Sequence, residues 1–304
     1  MKILEKISLL LAVLVLLTAM QGCKKTNTGP ENQAPTVAAE TQPPRQIRAG
    51  IQNVLICCTE NYDLSSESGG YRNENKANFL MLMVIDERSG IITPIQINPD
   101  SLVSFSAPGK TEKVAMPVGE VCSYGSGGSD SSLNLLDALS GLLGDVRIDH
   151  HMTFTMDAVA MANDSIGGVR VPASDFFGEP AGEESVLLSG PEAVEYFSFR
   201  DEADTANAGR MERQHQYMRS LYSPFLQKAQ DEEFLSDLLL RLGDNMATDL
   251  TLSQLILMFE TFEKYALENE VTVLPGTVET VGDTVCFAVD AAATAQILEE
   301  LIYE

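Results

Sequence analysis

Residues Phe79–Ile97 read FLMLMVIDERSGIITPIQI, and their reading decides the fold class. The run from Phe79 to Ile85 is strongly apolar, Asp86 to Gly90 offers turn residues, and Ile91 to Ile97 resumes a strand pattern. Two strands joined by a short polar turn make a hairpin. Upstream, Val54 to Cys58 is a short apolar run that fits a buried strand. Three strands therefore precede any long helix. Downstream, Asn98, Pro99 and Asp100 end the third strand, and small and polar residues follow as a loop through Gly125, Gly127 and Gly128.

Helices and strands then alternate. Ser131 or Ser132 is expected to cap a helix on which Leu136, Leu139 and Leu143 recur at three- and four-residue spacing, with Gly144 as its stop. Met152 to Met156 reads as a strand, and Asp157 as the cap of a short helix through Met161. Ile166 to Val171 is a glycine turn into an extended segment, and the acidic stretch Asp175 to Ser185 is an exposed loop. Pro191 suits the first turn of a helix. Arg210 to Gln230 is amphipathic and is expected to kink or break at Pro224. Helices at Phe234–Leu242 and Gln254–Leu267 follow, the latter capped by Thr251. Val271–Leu274 and Val285–Val289 are strands, and Ala291–Ile302 is a terminal helix. The pattern is α/β, a mixed central β-sheet covered by helices.

With 44 acidic and 20 basic residues and a formal charge of -24, the chain is unsuited to nucleic acid, whose phosphates need a positive surface. The N-terminus has a secretory layout: Lys2 and Lys6 precede an apolar run from Leu9 to Leu17, and small or polar residues lead to Gly22 and Cys23. Such a run is short for a membrane span. Gly22-Cys23 resembles a bacterial lipoprotein box, which makes Cys23 the lipidation candidate; an uncleaved anchor is the alternative. Residues 1–22 are thus read as a signal peptide, 23–46 as a disordered tether rich in Thr, Pro, Asn and Gln, and 47–304 as the folded domain. Cys57, Cys58, Cys122 and Cys286 sit in apolar surroundings and read as small buried thiols rather than disulfides. His150, His151 and His215 lack a metal-site spacing.

One stretch runs against the acidic average. Phe197–Met218, FSFRDEADTANAGRMERQHQYM, sets Arg200, Arg210, Arg213 and Gln214 close together. Arginine offers a rigid charged fork that matches phosphate oxygens, and a helix puts residues three and four apart on one face. The same arginines could instead pair with Glu202, Asp204 and Glu212 on a solvated surface.

Taken in order, NVLICC at the first strand, KANFLMLMVID to NPDS at the hairpin, SIGGVRV at Ser165–Val171, and LSGPEAVEYFSFRD to GRMERQHQYM resemble the LytR-CpsA-Psr family of cell-envelope proteins. The core motifs span about 54–263, with weaker similarity through VTVLPG to the C-terminus, 264–304. The resemblance implies an extracytoplasmic protein, anchored to the cell membrane through a lipid or signal anchor, that binds polyprenyl pyrophosphate glycan lipids and transfers a glycan phosphate to peptidoglycan. It implies Lys76, Arg200, Arg210, Arg213 and Gln214 at the pyrophosphate, Asp100 and Arg210 as catalytic groups, and Asp100 and Asn78 at a Mg2+ ion. The chain departs from the family pattern where Asn78 replaces a metal-ligand aspartate, Pro99 a catalytic arginine, Ser198 the first arginine of a pair, and Asn207 and Thr59 aspartates. An amide can ligate a cation but adds no charge to offset it. The alternative is a lipid-binding or scaffolding relative without the transfer.

Overall fold

A computed structural model of the chain describes residues 45–60, 75–125, 129–172, 176 and 185–304. The signal segment, Cys23 and the tether up to 44 lie outside these residues, as do most of the polar loop after Glu60 and nearly all of the acidic loop 175–185. Arg45–Glu304 forms one unit.

The order is β1 (Ile51–Thr59), β2 (Ala77–Asp86), β3 (Ile91–Ile97), β4 (Leu102–Phe105), β5 (Val114–Pro117), a 3-10 turn (Val118–Ser123), α1 (Ser129–Leu142), β6 (His150–Thr155), α2 (Met156–Ser165), β7 (Val169–Pro172), β8 (Ser185–Leu188), α3 (Gly190–Ser198), α4 (Ala208–Ala229), α5 (Glu232–Arg241), β9 (Met246–Thr248), α6 (Leu252–Lys264), β10 (Ala266–Leu267), β11 (Thr272–Val273), β12 (Gly276–Val281), β13 (Thr284–Val289) and α7 (Ala291–Leu301).

The main sheet runs β10-β3-β2-β1-β6-β9, with β11 also on β3. It is mixed: β1 is antiparallel to β2 and parallel to β6. Every residue of β2 but the last is buried, which is why its sequence is continuously apolar instead of alternating. Alternate side chains feed two cores. Leu55, Cys57, Leu80 and Leu82 pack with Leu135 and Leu139 of α1 and Leu298 of α7. Val54, Cys58, Phe79, Met81 and Met83 pack with Tyr196 and Phe197 of α3, Tyr217 of α4, and Leu255 and Met258 of α6. Burying each of these larger side chains contributes about 1.5–3 kcal/mol.

Pro94 sits inside β3, opposite Met83. It is tolerated because the far edge of β3 is paired in two short pieces, β10 at Ile91–Ile92 and β11 at Ile95–Gln96. Pro94, which has no N–H to give, lies in the gap.

Several local expectations change. The small-residue loop after Asp100 contains the β4–β5 hairpin and the 3-10 turn. Gly119 is needed in that turn, since a Cβ would lie 2.4 Å from the Ala77 carbonyl oxygen. Helix α1 starts at Ser129, so Ser131 and Ser132 are buried in its first turn: Ser131 Oγ donates to the Tyr124 carbonyl, and Ser132 Oγ meets Thr153 Oγ1 at 3.4 Å. Thr155, not Asp157, caps α2, accepting from Ala158 N. Helix α4 is unbroken through Pro224 and begins two residues before Arg210. Gly276–Val281, which lies between the two expected strands, is itself a strand paired with β13. Gln46, placed in the tether from composition, already accepts a hydrogen bond from Glu304 N at 3.2 Å. The described cysteines Cys57, Cys58, Cys122 and Cys286 are buried and none is in a disulfide, as their surroundings implied.

Candidate functional site

The candidate site forms where β2 begins, where β1 and β3 end, and where α4 starts. Asp204 caps α4 three times, accepting from Ala208 N and Gly209 N at 2.8 Å and from Arg210 N at 3.3 Å. A carboxylate at a helix N-terminus also meets the positive end of the helix dipole. Asn207, at the N-cap, is wholly buried and left-handed, with φ 58°. Asparagine adopts this region more readily than most side chains. Here its amide has two polar duties: Oδ1 accepts from Arg210 Nε at 2.8 Å, and Nδ2 donates to Asn98 Oδ1 at 3.2 Å. Asn98 Nδ2 in turn donates to the Ala206 carbonyl, tying β3 to the helix start.

Arg210 is 5% exposed. Among the described residues its guanidinium pairs with the Glu60 carboxylate, with Oε1 3.7 Å from Nη1. Burial holds its pKa below the ordinary guanidinium range, and neighbouring Arg200 adds to this; Asp100, Glu60 and Asp204 oppose it. Arginine keeps its charge at neutral pH regardless, so Arg210 is a buried cation whose closest hydrogen-bond partner is a neutral amide.

Arg200 is differently placed. It forks onto Asp100, with Nη2 to Oδ2 at 2.6 Å and Nη1 to Oδ1 at 3.2 Å, and also donates to the Asp204 carbonyl. Arg213 donates to the carbonyls of Tyr196 and Phe199 and lies over the rings of Phe176 and Phe199 at 5.4 and 5.2 Å. The solvated pairing of these arginines with Glu202 and Glu212 does not occur among the described ion pairs.

The other expected site residues are distributed less evenly. Gln214 is fully enclosed: Nε2 donates to the carbonyls of Asn78 and Phe197, and Oε1 accepts from Gln96. It braces β2, β3 and α3 against α4. Lys76 is about half exposed and pairs with Glu120 at 3.2 Å, away from the arginines' own partners. Asn78 is buried, and its Oδ1 has no hydrogen-bond partner. Thr59 donates to the Phe154 carbonyl. Among the described residues there is no group of three His, Cys, Asp or Glu side chains suited to a metal ion. Glu60 and Asn98 were not singled out from sequence; both belong to the cluster only because β1 and β3 end at the start of α4.

Next to this polar layer lies an apolar cavity of about 160 Å³. Its walls include Phe79 and Met83 of β2, Phe197 of α3, and Tyr217, Leu221 and Phe225 of α4. Phe79 follows Asn78 directly, and the carbonyls of Asn78 and Phe197 are the two that Gln214 holds. Polar cluster and cavity are therefore contiguous along both β2 and α4.

The LytR_cpsA_psr family model matches residues 14–302. Among curated proteins the chain is 23% identical over 235 residues to the polyisoprenyl-teichoic acid–peptidoglycan teichoic acid transferase TagU of Bacillus mycoides, covering 75% of this chain and 73% of the relative. It is 22% identical to the TagU of Bacillus subtilis, covering 75% and 72%. Among solved structures it is similar to TagV of B. subtilis, with a TM-score of 0.62 at 18% identity over 83% of this chain and 97% of that one. It is also similar to TagT bound to LI-WTA, with a TM-score of 0.63 at 16% identity over 83% and 90%. At such identities the structural likeness carries the fold alone.

Proposed function

The chain belongs to the LytR_cpsA_psr family, and on that premise we propose that it binds a polyprenyl-pyrophosphate-linked glycan and transfers the glycan phosphate to peptidoglycan. One observation carries this reading: a single helix, α4, presents buried Arg210 in its first turn and lines the apolar cavity from Tyr217 onward. At about 1.5 Å per residue these points are about 10 Å apart along the axis. A ligand with a charged head and an apolar tail is served by both.

The charges divide the work. Arg200 is already matched by Asp100, which fixes the orientation of its guanidinium. Among the described residues the one ion pair of Arg210 is the long contact to Glu60, so a pyrophosphate oxygen replacing that contact would gain a charge-assisted hydrogen bond beside a buried guanidinium. When an acceptor hydroxyl attacks the phosphorus and polyprenyl phosphate departs, negative charge grows on the bridging and equatorial oxygens. A positive group already in place stabilises that charge without reorganising. In this reading Asp100 is a positioning residue for Arg200, Gln214 is a brace, and Arg213 closes the arginine side of the mouth.

A Mg2+ ion would supply further charge to the pyrophosphate, but the donor set fits it poorly. Both oxygens of Asp100 are taken by Arg200, and Asn78 Oδ1, the buried oxygen without a partner, is neutral. No step is assigned to a metal. Lipidation at Cys23 and an extracytoplasmic, membrane-anchored location belong to the same proposal and rest on the Gly22-Cys23 box; among the described residues no helix is long and apolar enough to cross a membrane.

A second reading, lipid binding without transfer, is favoured by Pro99 beside Asp100 and by the full commitment of Asp100 to Arg200. The test measures release of polyprenyl phosphate from a polyprenyl pyrophosphate glycan, with and without Mg2+, alongside binding of the same lipid. Turnover supports the transferase, binding without turnover supports the second reading, and absence of both from folded protein removes the site.

A further inference from the structure

The apolar cavity beside the candidate site is too small for the tail it would hold. A dry cavity of about 150 Å³ accepts one benzene molecule, so a space of about 160 Å³ encloses roughly one isoprene unit. A polyprenyl chain carries many. Leu226 of α4 and Phe259 of α6 line this cavity, and both also line a second cleft, of about 330 Å³, between α4, α5 and α6. At about 1.5 Å per residue Leu226 lies about 24 Å beyond Arg210 along α4. The two spaces therefore follow one another along the helix that carries the arginines, and the partition between them is a single layer of side chain. Phe259 rests its ring against Phe225 at 5.7 Å and Phe262 at 6.4 Å between centroids, both of which line the cavity. Leu226, Ile256 and Phe259 are only half-buried.

The chemistry of the cleft selects hydrocarbon. Its apolar lining is Leu226, Ala229, Leu235, Ile256 and Phe259, and its polar groups are Gln230, Glu232, Glu260 and Glu263. Gln230 Nε2 donates to Glu263 Oε1 at 2.7 Å, tying the end of α4 to α6. Among the described residues no lysine or arginine lines the cleft, so an anionic group meets only repulsion there.

We infer that the cleft between α4, α5 and α6 is a second compartment for the polyprenyl tail, and that Leu226 and Phe259 are the residues that admit it. The inference rests on the lipid reading given above and adds a route to it. The pyrophosphate sits at Arg210, the nearer part of the tail fills the enclosed cavity, and later units pass between Leu226 and Phe259 into the cleft. Both side chains turn between staggered positions about χ1, so the partition opens without moving the backbone of either helix. Each unit that enters removes its own apolar surface, and that of Leu226, Ile256 and Phe259, from water, so affinity rises with tail length until the cleft is filled.

The experiment compares geranyl with octaprenyl pyrophosphate on the full chain, titrated at one detergent concentration. Octaprenyl pyrophosphate should bind the unchanged protein at least about tenfold more tightly. Ile256→Glu puts a charge into the cleft and Ala229→Trp fills it, and neither residue lines the enclosed cavity. Each substitution should cut the octaprenyl advantage to under about threefold while geranyl pyrophosphate binds as before. Circular dichroism and urea midpoints establish that each variant is folded; where one is not, the other carries the comparison. Geranyl binding with no octaprenyl advantage, or an advantage that survives the substitutions, overturns the inference and leaves the pyrophosphate site standing. Binding of neither lipid by the folded chain overturns both.

Discussion

Arg200 and Asp100, 100 positions apart in the chain, are joined by two hydrogen bonds of 2.6 and 3.2 Å. The pair links the end of β3 to the segment between α3 and α4. Asp100 N is held by Asn98 Oδ1, and the Asp100 carbonyl accepts from Phe287 N at 2.8 Å. Thus the C-terminal hairpin β12–β13, the end of β3 and the arginine segment converge on one residue, the first two on its main chain and the last on its carboxylate.

Replacing Asp100 with Ala removes both acceptors and leaves Arg200, about a third exposed, to solvent and the Asp204 carbonyl. The expected loss of unfolding free energy is about 1–2 kcal/mol, the lower part of the range for hydrogen bonds to charged groups because water replaces part of the contact. A urea titration measures it. Affinity for polyprenyl pyrophosphate should fall as well, and Asp100→Glu should recover part of both; a stability loss with unchanged affinity would separate Arg200 from the ligand.

Arg210→Ala tests the buried cation directly. Lipid binding should weaken by at least tenfold, since a charge-assisted hydrogen bond to phosphate is worth about 1.5–3 kcal/mol. Arg210→Lys should not restore it fully, because the fork that meets Asn207 and the ligand together is lost. Calorimetric titration of the folded variants with a short-chain polyprenyl pyrophosphate reads the effect.

Asn207 combines a left-handed backbone with two side-chain hydrogen bonds. Asn207→Gly keeps the backbone conformation and loses the amide; Asn207→Ala loses both. The alanine chain is expected to be less stable than the glycine chain by about 1 kcal/mol, while both lose affinity to a similar degree. Equal stability would mean that the positive φ carries no constraint here.

Gln214→Leu removes the donor to the buried carbonyls of Asn78 and Phe197 and one of the two acceptors of Gln96 Nε2, which keeps the Met211 carbonyl. Leaving such groups unpaired costs about 1–3 kcal/mol each where they stay dry, and a total of about 3 kcal/mol is expected. The measurement is the shift in urea midpoint. A change under 1 kcal/mol would mean that Gln214 is not a brace.

His151 supplies a pH dependence. Burial lowers its pKa from the ordinary value, partly opposed by Asp249, and His150 lies beside both. Its Nδ1 faces Asp249 Oδ1 at 3.2 Å, while Nε2 is buried without a partner. Protonating the ring would therefore bury an unpaired N–H. The unfolded chain takes up the proton first, so stability is full above the unfolded histidine pKa, about 6.5, and declines as pH falls from there toward the lowered folded value. His215, also lowered by burial, acts in the same direction. Unfolding free energies at pH 7.5 and pH 5.5 should differ less in a His151→Phe/His215→Phe chain than in the unchanged one.

The sequence by itself determined the alternation of strands and helices, because a strand buried on both faces must be apolar throughout and a helix must bury a stripe. Phe79–Ile85 declares the first and Leu255, Met258 and Phe262 the second. It also marked Arg200, Arg210 and Arg213 as an anomaly against an acidic background. Short elements escaped it: β4 and β5 are four residues long and partly exposed, and β12, six residues long, is almost wholly exposed, so neither period nor composition separates them from loop.

The partnership of each arginine was decided only by the tertiary structure. Local spacing offers Asp201, Glu202, Asp204 and Glu212 as neighbours. The fold instead gives Arg200 the distant Asp100, leaves Arg210 beside a neutral Asn207 with Glu60 at 3.7 Å, and turns Arg213 onto two carbonyls and two rings. A charge's partner depends on which strand ends meet which helix start. That depends on the crossing of the whole chain, and no window of sequence contains it.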